Sequence, residues 1–211
     1  MYTTPTAKEM ALGELEGTRE LYALVPDNVP KPIGAGPLSS SPEKHFFLAE
    51  FRDMMDELPA ASDFVAALAK IHRKKSPNGK FGFHCTTFHG NIPMNNAWCD
   101  TWEEYFTRAM KESLRLEREV QGPDEEMDKL AEDVVAKVIP RLLRPMETNS
   151  RRVEPVLLHG DLWHGNVGTD NETDDPVLYD PCVLYGHNEC KLSYDWCEPK
   201  TDSSKSRVSY L

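Results

Sequence analysis

The chain has 211 residues and a formal net charge of −11, from 24 Lys and Arg against 35 Asp and Glu. This length is enough for one domain, or for one complete lobe and part of another. Because the chain is acidic and has no Lys or Arg block to neutralise a phosphate backbone, we expect no nucleic-acid partner.

Hydropathy and cysteine usage indicate where the protein works. No apolar run approaches the roughly 20 residues that cross a bilayer, and the N-terminus lacks the charged and then apolar pattern of a signal peptide. We therefore expect no membrane partner and a cytoplasmic location. The cysteines are odd in number and include no C-x-x-C pair, which favours free thiols over disulfides or a zinc ribbon. They are Cys85, Cys99, Cys182, Cys190 and Cys197.

The first part of the chain predicts two helices and a strand. A helix is predicted from Ala7 to Leu24, where apolar residues recur at helical spacing before Pro26 stops it. His45 to Phe51 is short, aromatic and apolar, which is typical of a buried strand. A second helix is predicted from Asp63 to His72, with Ser62 or Asp63 as its cap.

A loop and two long helices follow. Pro, Gly and Asn recur at short intervals between residues 76 and 100, but the segment has too many aromatic residues for a solvated linker, so we expect it to pack. Asp100 or Thr101 can cap a helix from Trp102 to about Gln121. A second amphipathic helix is predicted from Asp124 to about Leu143, interrupted or ended near Pro140 because proline lacks the backbone donor.

Two short apolar strands are predicted near the C-terminal end. They cover residues 155–159 and 176–180 and enclose a polar turn at 168–175, so they are predicted to pair as a hairpin. Residues 193–211 are polar and have no periodic apolar face, which predicts a frayed or disordered tail.

Chemistry is concentrated at the ends of those two strands. In the segment H-G-D-L-W-H-G-N, Asp161 follows the first strand and Asn166 comes five positions later, which is the spacing of the catalytic loop of kinases. Asp180 follows the second strand in a Y-D-P sequence. Asp161 is predicted to orient or deprotonate an acceptor hydroxyl, and Asn166 and Asp180 to bind Mg²⁺ through oxygen atoms. The pattern therefore predicts phosphoryl transfer from ATP.

Other side chains near the motif have competing interpretations. Trp163 can stack on a sugar ring in the acceptor pocket, or it can pack against the catalytic loop. The four neighbouring histidines lack the spacing and cysteine partners of a zinc site. We therefore predict structural roles for His84, His89, His159 and His164, with His159 fixing the loop through hydrogen bonds.

These motifs together resemble the fructosamine kinase (ketosamine 3-kinase) family. The segments that carry the resemblance are Leu158–Asn166, Leu178–Pro181, Tyr185–Glu189, Lys80–His84, Gly90–Pro93, Trp98–Trp102 and Gly13–Glu14. The resemblance covers about residues 7 to 192 and implies an α+β fold of the protein-kinase-like class, similar to aminoglycoside and choline kinases. Residues 1–55 would then be a remnant of the N-lobe, and residues 56–192 a mainly helical C-lobe.

The resemblance also implies roles for further residues. Glu14 would pair with the lysine that positions ATP, and Glu50, Phe51 and Arg52 would form the hinge beside adenine. The acceptor would be the sugar 3-hydroxyl of a ribulosamine or fructosamine on a glycated protein or a small ketoamine. Its phosphorylation would lead to deglycation.

The sequence departs from the family at both ends. The phosphate-covering loop and the strand lysine are missing upstream of Glu14, so the chain is predicted to be truncated at its start. Lys191 occupies a place where the family usually has an acid, and the end is predicted to be divergent. Two alternatives stay open: an inactive kinase-fold fragment that binds a partner or sugar, and a related kinase for a choline-like or aminoglycoside acceptor.

Overall fold

The structure, a computed structural model, describes residues 1–3, 5–55 and 57–190. The α-helices in these residues are α1 (Ala7–Tyr22), α2 (Ala61–His72), α3 (Trp102–Gln121), α4 (Glu125–Asp133) and α5 (Ile139–Leu143). The strands are β1 (Pro32–Leu38), β2 (Ser41–Ala49), β3 (Met54–Met55), β4 (Phe88–His89), β5 (Ile92–Pro93), β6 (Val156–Leu158), β7 (Val167–Asp170), β8 (Pro176–Leu178) and β9 (Leu184–Gly186).

The N-terminal sheet is a twisted hairpin with one additional pairing. β1 and β2 are antiparallel, with Ala35 opposite Phe47. On the other edge of β2, the Tyr2 amide donates to the His45 carbonyl at 2.8 Å, and the His45 amide donates back to Tyr2 at 3.1 Å. The strand predicted at 45–51 is confirmed but is not buried, because its side chains are half-buried or exposed and Phe51 beyond it is 86% exposed.

The predicted pairing of the two C-terminal strands is wrong. β6 pairs with β9, with Leu157 opposite Tyr185, whereas β8 pairs with β7, with Gly168 opposite Val177. The sequence Val-Gly-Thr-Asp of β7 looks like part of a turn, but β7 is buried between β3 and β8 in a three-stranded sheet. Burial on both edges overrides the weak strand preference of its residues.

The predicted helices are largely confirmed, with two differences. Thr101 caps α3 by accepting a hydrogen bond from the Glu104 amide at 3.2 Å. α2 begins after Ala60 without a side-chain cap, so the proposed caps Ser62 and Asp63 lie inside its first turn. The helix predicted from 124 to 143 is divided by a π-helical turn at Val134–Val138, which ends two residues before Pro140. Such a wider turn is a known way to interrupt the backbone ladder near a residue that cannot donate.

The hydrophobic core packs the C-terminal strands, whose ends hold the predicted catalytic residues, against the helices. One buried cluster combines α1 and α2 with the C-terminal strands, and its members include Leu21, Leu68, Ile71, Leu157, Leu178 and Val183. A second cluster lies around α3 and includes Phe81, Trp102, Tyr105, Leu158 and Leu184. Because Phe81 and Phe83 are buried, the prediction that the loop at 76–100 packs is confirmed.

Two expectations are not decided by the fold itself. The tail predicted at 193–211 lies outside the described residues. The division into lobes at 1–55 and 56–192 stays a prediction. Among the described residues, no helix is both long enough and apolar enough to span a bilayer.

Candidate active site

The segment between β6 and β7 turns back sharply at Gly160. Its φ of +82° lies in the left-handed region, where residues with a Cβ are disfavoured. A Cβ at this position would also overlap the carbonyl of Cys182. Glycine therefore lets the chain pass directly over residues 180–184, which brings Asp161 next to the end of β8.

Hydrogen bonds of the buried His159 side chain stabilise this turn. Its side chain is 2% exposed, and Nε2 lies 3.1 Å from the Tyr179 carbonyl. The Asp161 amide donates to Nδ1 at 3.4 Å. Together these contacts correspond to the neutral tautomer with a proton on Nε2. The structure thus supports the predicted role of His159 in fixing the loop.

Asn166 connects the two predicted acidic residues. Its Nδ2 donates to the Asp161 carbonyl at 2.9 Å, to Asp161 Oδ2 at 3.2 Å and to the Asp180 carbonyl at 3.2 Å. Asn166 is buried, and its own carbonyl accepts from the Tyr179 amide at 3.1 Å. The three residues predicted to carry the chemistry are therefore brought together in one site.

Asp180 is held in an unfavourable backbone and charge environment. Its φ of +54° is left-handed, a conformation that Asp and Asn adopt more often than most residues and that costs on the order of 1 kcal/mol. Although Asp180 is exposed at the surface, partial desolvation raises the pKa of its carboxyl, and the negative charge of Asp161 raises it further. Strain and repulsion gathered at one acidic residue are typical of a functional site.

Glu14 on α1 faces the same acidic centre. Burial, followed by the negative charge of Asp180, raises the pKa of Glu14 to about 8. Tyr2 lies within electrostatic reach of both carboxyls: burial raises the pKa of its phenol, and the charges of Glu14 and Asp180 raise it further. Within the described part of the chain, Glu14 forms no ion pair with a lysine or arginine. The predicted partner lysine of Glu14 is therefore not among these residues.

His89 reaches the site from a segment outside the motif. Its Nδ1 lies 3.2 Å from Asp161 Oδ1, with side chains that are 24% and 29% exposed. Sequence analysis predicts only a structural role for His89, since no local spacing connects residue 89 with residue 161. The contact depends on how the β4–β5 hairpin packs.

Trp163 lies at the surface of the catalytic loop. It is 40% exposed, and its ring stands edge-on to His164 with centroids 4.8 Å apart. A Cβ added to Gly165 would lie 2.5 Å from the indole, so the ring covers the glycine on one side. The structure thus combines packing on the loop with an open face, and both sequence interpretations of Trp163 stay predictions.

The predicted hinge directly follows β2. Arg52 Nε donates to Glu50 Oε2 at 3.1 Å, and its Nη1 donates to Asp170 Oδ2 at 3.3 Å. Backbone amides of Glu172 and Thr173, together with Arg52, lower the pKa of Asp170. Arg52 thus ties the segment after β2 to the end of β7, while Phe51 points into solvent.

The oxygen atoms at the site suit a hard divalent cation. The Asn166 amide nitrogen is used as a donor, which leaves Oδ1 to act as a ligand. The Asp161 and Asp180 carboxylates repel each other, and a cation would offset that repulsion. Within the described residues there is no group of three or more His, Cys, Asp or Glu that could hold a metal. One or two protein ligands completed by water and nucleotide oxygens are usual for Mg²⁺.

Solved structures share this fold. A crystal structure from Thermobifida fusca, which carries a provisional fructosamine-3-kinase name, superposes with a TM-score of 0.68 at 24% identity, covering 88% of this chain and 59% of that one. A second, from Haemophilus somnus with a similar provisional name, gives 0.66 at 20% identity and covers 90% and 59%. The predicted α+β fold of the protein-kinase-like class is confirmed.

Sequence comparisons agree with the fold. The chain is 29% identical over 186 residues to a chloroplastic protein-ribulosamine 3-kinase of Arabidopsis thaliana, covering 88% of this chain and 54% of the plant protein. It is 36% identical over 114 residues to ketosamine-3-kinase of Mus musculus, covering 54% and 34%. The chain spans about half the length of the plant enzymes that it matches. The model of the family described as fructosamine kinase matches residues 2–202, and the chain belongs to this family.

Proposed function

We propose that the chain transfers the γ-phosphoryl group of ATP to the sugar 3-hydroxyl of a ribulosamine or fructosamine on a glycated protein. The observation that carries this proposal is the convergence of Asp161, Asn166 and Asp180 through the hydrogen bonds of one amide. The names of the plant and mouse relatives support the acceptor class. Cytoplasmic location is part of the same proposal.

Each residue then has a defined task. The acceptor oxygen forms a bond to the γ-phosphorus while the bond to the β,γ-bridging oxygen of ATP breaks, and Asp161 receives the hydroxyl proton. Asn166 and Asp180 would hold Mg²⁺, which would neutralise charge on the phosphate oxygens. Glu50, Phe51 and Arg52 lie beside adenine, with the Arg52–Asp170 ion pair holding their backbone in place.

A second candidate function follows from the environment of Glu14. A kinase of this class uses a lysine paired with a helix glutamate to position the phosphates. Glu14 lacks a lysine or arginine partner among the described residues. This observation favours a kinase-fold protein that binds a glycated ligand or a partner without transferring phosphate.

Transfer of labelled phosphate from ATP decides between the two functions. The acceptor is ribose-glycated lysozyme, with unglycated lysozyme, choline and an aminoglycoside as comparisons, in Mg²⁺ or EDTA. We expect label on the glycated protein only, dependent on Mg²⁺ and absent with the Asp161→Ala variant. A folded chain that transfers no more label than Asp161→Ala would reject kinase activity and leave the binding function.

Replacing Trp163 by Ala tests whether the indole contacts the sugar. Because its exposed face is suited to stacking on the hydrogen-rich face of a sugar, we expect the KM for the glycated acceptor to rise about tenfold, which corresponds to about 1.4 kcal/mol. The KM for ATP should stay within about twofold, because the indole is not part of the proposed nucleotide site. Trp163→Phe is the matched control and should recover most of the acceptor affinity. Equal changes in both KM values would contradict the stacking role.

A further inference from the structure

The β4–β5 hairpin carries His89 to the proposed catalytic carboxylate. Phe88 and His89 pair with Pro93 and Ile92 across a turn at residues 90–91, and this short hairpin lies against α1. From its first strand, His89 Nδ1 approaches Asp161 Oδ1 at 3.2 Å. A residue far from the motif in sequence therefore contacts the carboxylate of its central acid.

The two oxygens of Asp161 are held by different parts of the chain. Asn166 donates to Oδ2 from within the catalytic loop, while His89 approaches Oδ1 from the hairpin. Two donors on two oxygens fix the rotation of the carboxylate, which a single donor does not. Each carboxylate oxygen can accept more than one hydrogen bond, so a sugar hydroxyl can still donate to Oδ1.

The chemistry of the contact assigns the proton on the imidazole. An ionised carboxylate can only accept hydrogen bonds, so Nδ1 of His89 must be the donor, whether the ring is neutral or charged. The ring also lies close enough to Asp180 to favour its charged form, since His89 lowers the Asp180 pKa against the effects of desolvation and Asp161. The imidazole thus contacts Asp161 and lies within electrostatic reach of Asp180.

We propose that His89 is a positioning residue for the phosphoryl transfer, which holds the Asp161 carboxylate in the orientation that receives the acceptor proton. This inference rests on the proposed function. It also makes the β4–β5 hairpin one wall of the acceptor site, since the imidazole lies beside the oxygen to which the sugar hydroxyl donates.

Three substitutions of His89 distinguish a role in positioning Asp161 from a role in packing alone. The amide nitrogen of Asn lies close to where histidine places Nδ1, whereas that of Gln reaches nearer to Nε2. We expect His89→Ala and His89→Gln to lower kcat by roughly ten- to a hundredfold, the range for a slightly misplaced group, with the KM for ATP unchanged. His89→Asn should recover most of kcat. Asn no better than Gln, or Ala equal to the wild type, would overturn the inference.

An NMR measurement tests the same contact without activity. At pH 8, long-range ¹H–¹⁵N spectra should show Nδ1 of His89 protonated in the wild-type chain. In Asp161→Ala the carboxylate is gone, and Nδ1 should lose its proton. If the folded wild-type chain transferred no phosphate, the proposed function and the catalytic role of His89 would both be rejected. The spectra would still show whether His89 donates a hydrogen bond to Asp161. If Nδ1 were unprotonated in both proteins, the contact between His89 and Asp161 would be ruled out.

Discussion

Replacing Asp161 by Asn is expected to lower kcat by about 10²- to 10⁴-fold, the range for loss of a general base. The side chain keeps its shape, but an amide does not accept the proton of the acceptor hydroxyl. Asn166 and Asp180, the proposed cation ligands, are unchanged, so the KM for ATP should stay within a few-fold. Initial rates of phosphate transfer to a glycated protein at saturating ATP measure the effect.

Asp174→Asn is the matched control for this prediction. Asp174 is an aspartate like Asp161, but it lies exposed in the turn between β7 and β8. The same chemical change there should leave kcat unaltered. If Asp161→Asn retained more than about a tenth of the wild-type kcat, Asp161 would not be the base.

Replacing Glu14 by Gln is expected to stabilise the fold at neutral pH by about 3 kcal/mol, because each pKa unit corresponds to about 1.4 kcal/mol. The pKa of Glu14 rises from 4.5 to about 8 in the folded chain. Between these values the folded state keeps a proton that the unfolded state releases, so stability falls as the pH rises. Gln has nearly the shape of the protonated acid and no such titration.

Urea unfolding between pH 5 and 7.5, in EDTA, measures this effect. Wild type and Glu14→Gln should have similar free energies of unfolding at pH 5 and separate as the pH rises, with the variant more stable. Asp180, whose pKa is also raised, is present in both proteins, so the difference between the two curves reports Glu14. Parallel curves for the two proteins would show that Glu14 is ionised in the folded chain.

Replacing the Tyr2 phenol by a cation should weaken the dependence of stability on pH. Tyr2 lies within electrostatic reach of Glu14 and Asp180, and a lysine side chain has about the same reach. Tyr2→Lys should therefore lower the Glu14 pKa and flatten the dependence of stability on pH. Tyr2→Phe removes the hydroxyl without supplying charge and should keep most of the wild-type slope.

The proximity of the three residues predicted at the centre of the site follows from their short separation along the chain. Asp161 and Asn166 are five positions apart in a loop between short strands, and Asp180 follows the next hairpin. Local spacing therefore contains most of their geometry. Thr101 at the start of α3 was equally predictable, since capping depends on only four consecutive residues.

The parts that the sequence did not reveal all depend on tertiary packing. The contact between His89 and Asp161 joins segments with no common motif, and β4 is only two residues long. The pairing of β6 with β9 was missed because Leu184–Gly186 is too short to give a periodic signal. The raised pKa of Glu14 comes from burial and from Asp180, neither of which is visible in the pattern of α1.

The buried clamp formed by His159 has a consequence for the energetics of binding. His159 is hydrogen-bonded to the Asp161 amide and to the carbonyl of Tyr179, which directly precedes Asp180. It therefore holds the backbone of Asp161 and of the residue before Asp180. The separation between these two acids is thus set when the chain folds. A nucleotide that binds as proposed would meet both acids already in place, so its affinity would not be weakened by the entropy of ordering this loop.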